Sequence, residues 1–478
     1  MIVVGLAVTL LVAWLVGWLV VSAGWPGPGP SRAAGVMRVA LALGLGLGLS
    51  SAAFSAAIDL GRPSWTAAAL ADLVLLAVAL WLWARRQPRM PARELTRVGR
   101  WEWIDRVLVA GVLLTMVPAL TMATVRTIAY PHGDWDAWVI WNAKARYMVR
   151  AGEAWRAGLL PPNAGTDYPL LVPGAVAREW IYLKQETRLA PAVIAGLFTA
   201  ATVVLASAVV SLRRGRRLGL LAAILLLGSP SVIVYGTSQC ADMPVGFYLL
   251  AAVALLTTAD AAGQMPRRGA LLLAGLSLGL GAWSKNEGIY YLVVVVLAHS
   301  IVRASGRGLR AAIFEAATLG AGAAPVLAIL AHHRAVQPLG WTLTHVTRQG
   351  AFLNRVLDPE RYRLIGAYFL QFGADLGGWA VSVLPLLVLC ALAWGLRVEP
   401  GNRVSAGRAA LVLGLAVAGL FGVYLTASND LDWQMPTSLP RLYIQLWPSA
   451  VLLFALVVRS PVVPGDARLP SSAAPAAA

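Results

Sequence analysis

The chain has 478 residues, is 59% hydrophobic and 13% charged, and carries repeated apolar runs long enough to cross a lipid core of roughly 30 Å. That composition excludes a chain folded wholly in water and points to an all-α polytopic membrane protein. The formal charge of +17 is spread as short arginine clusters between apolar runs, with no stripe of basic and aromatic residues, so topology accounts for it and nucleic acid does not.

The first stretch, MIVVGLAVTLLVAWLVGWLVV, has no basic residue ahead of its apolar run and is longer than a signal-peptide core, so it reads as a retained span. Spans are expected near 2–23, 35–57, 66–84, 104–124, 190–211, 218–235, 243–260, 270–284, 288–302, 311–331, 376–396, 409–427 and 442–458, about thirteen in all. If they alternate, four basic loops share one side. These hold Arg85, Arg86, Arg89, Arg93, Arg97 and Arg100; Arg213, Arg214, Arg216 and Arg217; Arg267 and Arg268; and Arg303, Arg307 and Arg310. Basic short loops stay in the cytoplasm, which puts the N-terminus outside. Residues 125–189, 236–242, 285–287, 332–375 and 428–441 then share the external face, and every unusual polar stretch falls there.

The expected organisation is a three-span extension over 1–103, a catalytic core over 104–331 with the external loop 125–189, C-terminal spans and loops over 332–460, and a low-complexity tail over 461–478. Cys240 and Cys390 lie far apart without metal-ligand spacing and read as unpaired packing residues.

The first external loop contains HGDWDAWVIWNAKARYM, residues 132–148. Trp138, Trp141, Ala145 and Met148 recur at helical spacing and predict an apolar face on an interfacial helix, with Lys144, Arg146 and Arg150 pointing elsewhere. Asp134 and Asp136 precede that helix. Either could cap it, or either could be a general base or metal ligand held where loop meets membrane. In GTDYPLLVPGAVAREW, residues 165–180, Pro169 and Pro173 stiffen the segment that carries Asp167 and Tyr168. Asp167 is either a solvated turn residue or a fixed site residue.

Asp242, in ADMP at the mouth of a span, is an acid beside the bilayer, which costs free energy unless it is paired, wet or functional. Lys285 in WSKNEG either snorkels, pairs with Glu287, or binds a lipid phosphate as a point charge. The basic segment 332–363, with His332, His333, Arg334, His345, Arg348, Arg355, Arg361 and Arg363, suits attraction to anionic head groups or lipid phosphate better than zinc. Arg441 immediately precedes the last span on the external side, against the positive-inside bias, and phosphate recognition is one reason for it to be there. No nucleotide-binding or serine-hydrolase motif occurs in a supporting context.

An Asp-x-Asp pair in the first external loop, then DYPLLVP, then ADMP opening a span, then GLSLGLGAWSKNEG, resembles the GT-C superfamily of integral-membrane glycosyltransferases. The branch with protein O-mannosyltransferases and the lipid A aminoarabinose transferase is the most similar. That branch's aminoarabinose enzymes carry Lys-Pro-Pro where this chain reads Asp-Tyr-Pro-Leu. The resemblance implies a GT-C-like fold with interfacial helices in the first large external loop, and Asp134 or Asp136 as catalytic base. It also implies substrate-binding roles for Asp167, Tyr168, Asp242, Lys285, Glu287 and Arg441, the last of these and Lys285 on the donor phosphate. It fixes no cofactor, although Asp167 and Asp242 could hold a divalent metal. The expected reaction is an inverting transfer of a sugar from a polyprenyl-phosphate donor to a hydroxyl-bearing lipid, glycan or protein, on the extracytoplasmic face of the plasma membrane. The alternative is a transporter or flippase, which would rely on ionisable residues inside spans such as Asp72.

Overall fold

A computed structural model describes residues 1–26, 31–85, 101–160, 165, 167–261, 263–336, 352–378 and 382–459. Arg86, Arg89, Arg93, Arg97, Arg100, His345, Arg348 and the 461–478 tail lie outside the described residues.

The described residues are helices and turns, with one isolated β-bridge between Leu396 and Val458. Helices α1 (Ile2–Gly24), α2 (Arg32–Asp59) and α3 (Trp65–Ala84) come first, followed by α4 (Trp103–Ala129). The large loop after α4 holds a π-turn (Ala137–Trp141), α5 (Asn142–Arg150), a 3₁₀ segment (Gly152–Leu159) and α6 (Leu171–Leu183). Next come α7 (Leu189–Arg214), α8 (Arg216–Leu227), α9 (Pro230–Thr237), α10 (Asp242–Ala259), α11 (Arg267–Ser284), α12 (Asn286–Arg307) and α13 (Leu309–Val336). The remainder is α14 (Phe352–Leu357), α15 (Pro359–Ala374), α16 (Val383–Trp394), α17 (Arg403–Thr426) and α18 (Leu431–Val457).

Among the described residues ten helices are long and apolar enough to span a membrane. The other expected spans are helices that differ in a physical way. The 218–235 span is α8 and α9, bent by 63° where Gly228 and Ser229 precede Pro230, whose ring cannot continue the preceding helix. The 270–284 span is α11, whose Gly- and Ser-rich sequence is less apolar because other helices, not lipid, surround it. For 376–396 the helix is α16, only 12 residues long.

Helix α10 forms the centre. It is buried on all sides from Asp242 to Thr258 and packs on α7, α11 and α18, as expected of a helix apolar all round. The first three helices join this bundle directly. Helix α2 lies on α7 and α6, and Ser51 Oγ donates to the Leu171 carbonyl at 2.6 Å. Asp72 of α3 is held by Arg178 of α6 at 2.6 Å and by the Tyr182 hydroxyl at 2.6 Å.

The charged loops are sorted to two ends. At one end Arg216 and Arg217 pair with Asp105, Arg267 with Glu315 at 2.6 Å, Arg303 with Glu315 at 2.8 Å, and Arg408 with Asp260. These pairs tie together the ends of α4, α8, α10, α11, α12, α13 and α17. The acids of the candidate site lie at the other end. Cys240 and Cys390 are both free.

Candidate active site

The site is assembled by helix ends. Asp242 opens α10, Lys285 sits between α11 and α12, Glu287 lies in the first turn of α12, and Arg441 lies ten residues into α18. The expected 428–441 loop is instead the first part of α18, which runs through Pro436 and Pro440, so Arg441 is projected from a helix. Asp242 is fully buried and both its oxygens are engaged: Lys285 Nζ at 2.9 Å and Gln445 Nε2 at 2.8 Å on one, Arg441 at 2.8 Å on the other. Lys285 also pairs with Glu287 at 2.8 Å, and Arg441 pairs with Asp136. Tyr291 donates its hydroxyl to Gln445 Oε1 at 3.0 Å, so the network continues into the bundle.

The Asp-x-Asp loop reaches this cluster through backbone anchoring. Asp134 N–H donates to the Ser238 carbonyl at 3.1 Å, and Gly133 makes the approach possible with φ +76. A Cβ there would stand 2.5 Å from the Ser238 oxygen. Asn142 donates to Gln239 Oε1 at 2.7 Å, and Gln239 itself holds the uncommon φ of 61. The two aspartates diverge. Asp136 points to Arg441, while Asp134 pairs with Arg126 at 2.8 Å. Neither side chain caps the following turn: Asp136 occupies the N-cap position without a cap bond. Partial burial raises the Asp134 carboxyl above the usual range, more than Arg126 and Arg441 lower it.

Asp167 and Tyr168 form the adjoining wall. Tyr168 stacks on Trp141 with centroids 5.1 Å apart, and Lys285 Nζ lies 6.0 Å above the Tyr168 ring. Burial raises the Tyr168 hydroxyl above its ordinary range, so it stays protonated. Asp167 accepts from Asn286 Nδ2 at 2.8 Å, and Asn286 Oδ1 accepts from Arg334. All the expected site residues therefore border one continuous polar region, in which Asp242 is central and Asp134 and Asp167 are at its flanks.

Three expectations need correcting. Lys144 does not point away from the apolar face: it is 2% exposed, and its ammonium donates to the Tyr168 carbonyl at 2.7 Å. Trp138 is 51% exposed, because the extra residue of the π-turn rotates it off the face that Trp141, Ala145 and Met148 share. His333 and Arg334 belong to the last turn of α13 and not to a loop, and His333 is buried. As for a metal, Asp242 spends its oxygens on Lys285, Arg441 and Gln445, and Asp167 faces Asn286. No group of three or more His, Cys, Asp or Glu among the described residues could hold an ion. The donor set does not fit a divalent metal.

Lys144, Gln239, Asn286, Arg334 and Gln445 were not expected in the site. Of these Gln445 carried a signal, a lone amide inside an apolar span. Asp72, the acid on which a transporter would rely, is locked in its pair with Arg178. Between α8, α16 and α18 lies an apolar cavity of about 190 Å³, lined by Leu221, Leu387, Val451 and Phe454. It begins about 15 Å along α18 from Arg441 and is separate from the polar region.

Residues 181–329 match the family model described as dolichyl-phosphate-mannose-protein mannosyltransferase. This chain is similar to the GT-C membrane glycosyltransferases. No curated protein and no solved structure matches it. The GT-C match runs from the end of α6 through most of α13, so it takes in Asp242, Lys285 and Glu287. Asp134, Asp136, Asp167, Tyr168 and Arg441 lie outside the matched residues and join the matched ones through geometry alone.

Proposed function

We propose that this protein is a mannosyltransferase-type glycosyltransferase that takes its sugar from a polyprenyl-phosphate donor and passes it to a hydroxyl-bearing lipid, glycan or protein. The family match supports the reaction class and the donor. The single observation that carries the assignment of residues is the ion network joining Asp136, through Arg441, to Asp242 and Lys285. It places a loop carboxylate beside the matched helices.

In this reading Asp136 is the general base. The acceptor oxygen attacks C1 as its proton passes to the Asp136 carboxylate, the C1–O bond to phosphate breaks, and the lipid phosphate leaves with the bonding electrons, inverting C1. Arg441 and Lys285 both pair with Asp242, and Arg441 fixes Asp136 in place. Tyr168, stacked on Trp141, offers a flat wall for a sugar ring. The hydrocarbon tail in this reading runs along α18 past the polar region, toward the separate apolar cavity beside that helix. In this reading the basic end of the bundle faces the cytoplasm, as the positive-inside bias favours, and the site works on the extracytoplasmic face.

The test is transfer from polyprenyl-phosphate mannose by the full chain in proteoliposomes. Asp136→Asn is expected to lower the rate by about 10²–10⁴-fold with normal insertion. Wild-type protein that transfers no sugar from this donor would overturn the proposal.

A further inference from the structure

The cations expected to hold the donor phosphate are already committed. Lys285 and Arg441 face three carboxylates, Asp136, Asp242 and Glu287, so that cluster carries a net negative charge when its members are ionised. Arg126 is taken by Asp134, and Arg156 by Asp59 at 2.8 Å. An incoming phosphate needs positive charge that is not already matched.

That surplus lies one wall away. Lys144 feels the charge of Arg334, and a single carboxylate, Asp167, acts on both; Asp167 is tied to Arg334 through Asn286 and adjoins Tyr168, whose carbonyl accepts from Lys144. Among the described residues neither cation is within ion-pair distance of any acid; Lys144 donates to the Tyr168 carbonyl and Arg334 to Asn286. Two further polar atoms are buried beside them. Trp283 and His333 meet edge to face with centroids 5.3 Å apart, both are almost wholly enclosed, and Trp283 Nε1 and His333 Nε2 have no hydrogen-bond partner. Lys144 and Arg334 both lie close enough to His333 to act on it electrostatically. A buried polar atom without a partner is costly, so these two atoms, beside two cations with no paired carboxylate, mark a place suited to an anion.

We propose that Lys144, His333, Arg334 and Trp283 form a phosphate-binding subsite beside the Asp136–Asp242 cluster. Resting on the transferase reading, its ligand is the phosphate of the lipid-linked donor. Lys144 stands eight residues after Asp136, one π-turn and the start of α5 further along, so subsite and base are carried on one continuous helical segment. Asn286 ties the subsite to Asp167 and so to the wall carrying Tyr168.

Equilibrium binding to the full chain in phosphatidylcholine nanodiscs tests this, with polyprenyl monophosphate in one arm and inorganic phosphate in the other. Lys144→Met and Arg334→Gln are each expected to weaken binding about ten- to a hundredfold, and Lys144→Arg to recover part of it. If Lys144→Met does not fold, Arg334→Gln, at a half-buried position, carries the test alone. Wild-type binding of polyprenyl phosphate with unchanged affinity in both variants overturns the subsite and leaves the transferase reading standing. Binding of inorganic phosphate alone, lost in the variants, upholds the subsite and removes the lipid donor. Binding of neither probe by wild type overturns the subsite.

Discussion

Two aspartates two residues apart are given different work by their partners. Asp136 is joined to Arg441 within the cluster, whereas Asp134 is turned to Arg126 and held at a raised proton affinity by partial burial. Asp134→Asn is therefore expected to keep transfer within about tenfold of wild type while Asp136→Asn loses it, read as initial rates at saturating donor. Lys144 is a second residue-scale case. Burial pulls its ammonium down to about 7, from a model-peptide value near 10.4. The unfolded chain thus binds more protons at this position between those two values, and its contribution to stability rises with pH across that window. Lys144→Met is expected to raise the melting temperature by about 2–4 °C at pH 6.5, with the gain shrinking by pH 10. An anion bound beside Lys144 favours its charged form, so phosphate affinity falls as pH rises through about 7, and Lys144→Met removes that dependence. The acids were legible in the sequence because an acid beside apolar runs needs a reason. Lys144 was not, because a basic residue near an amphipathic helix reads as solvated until its packing is known.

At the scale of elements, the site depends on where helices begin and on turns that let loops approach them. Gly133 makes one such approach, with positive φ and the Ser238 carbonyl against its α-carbon. Gly133→Ala is expected to cost about 1–3 kcal/mol and to lower transfer more than insertion, measured as activity per folded molecule. The buried group Asp72, Arg178, Glu179 and Tyr182 fastens α3 to α6. Arg178→Leu leaves Asp72 and Glu179 buried without their partner and is expected to destabilise by about 3–5 kcal/mol, seen as a lower unfolding midpoint. Replacing Asp72 as well recovers part of the loss. Helix positions were readable from apolar runs, but their ends were not: α13 and α18 extend past the apolar stretch and carry Arg334 and Arg441 on rigid backbone. Proline inside α18 and the π-turn before α5 break the simple periodicity from which boundaries are read.

Across the whole molecule the charges are divided by end. One end is stitched by arginine–carboxylate pairs between separate helices and the other gathers acids, cations and aromatics around Asp242, with α10 buried between them. Alternation of apolar runs with basic loops predicted that sorting. The division of that second end into an acid-rich cluster and a cation-rich one depends on contacts more than 100 residues apart, such as Asp167 with Asn286 and Asp136 with Arg441. The decisive measurement is a cryo-electron microscopy map of the full chain in nanodiscs with a non-transferable polyprenyl-phosphate sugar. The account predicts density with the phosphate at Lys144 and Arg334, the anomeric carbon facing Asp136, and the tail beside α18. Density at the basic end of the bundle, or a sugar bound away from Asp136, would contradict it.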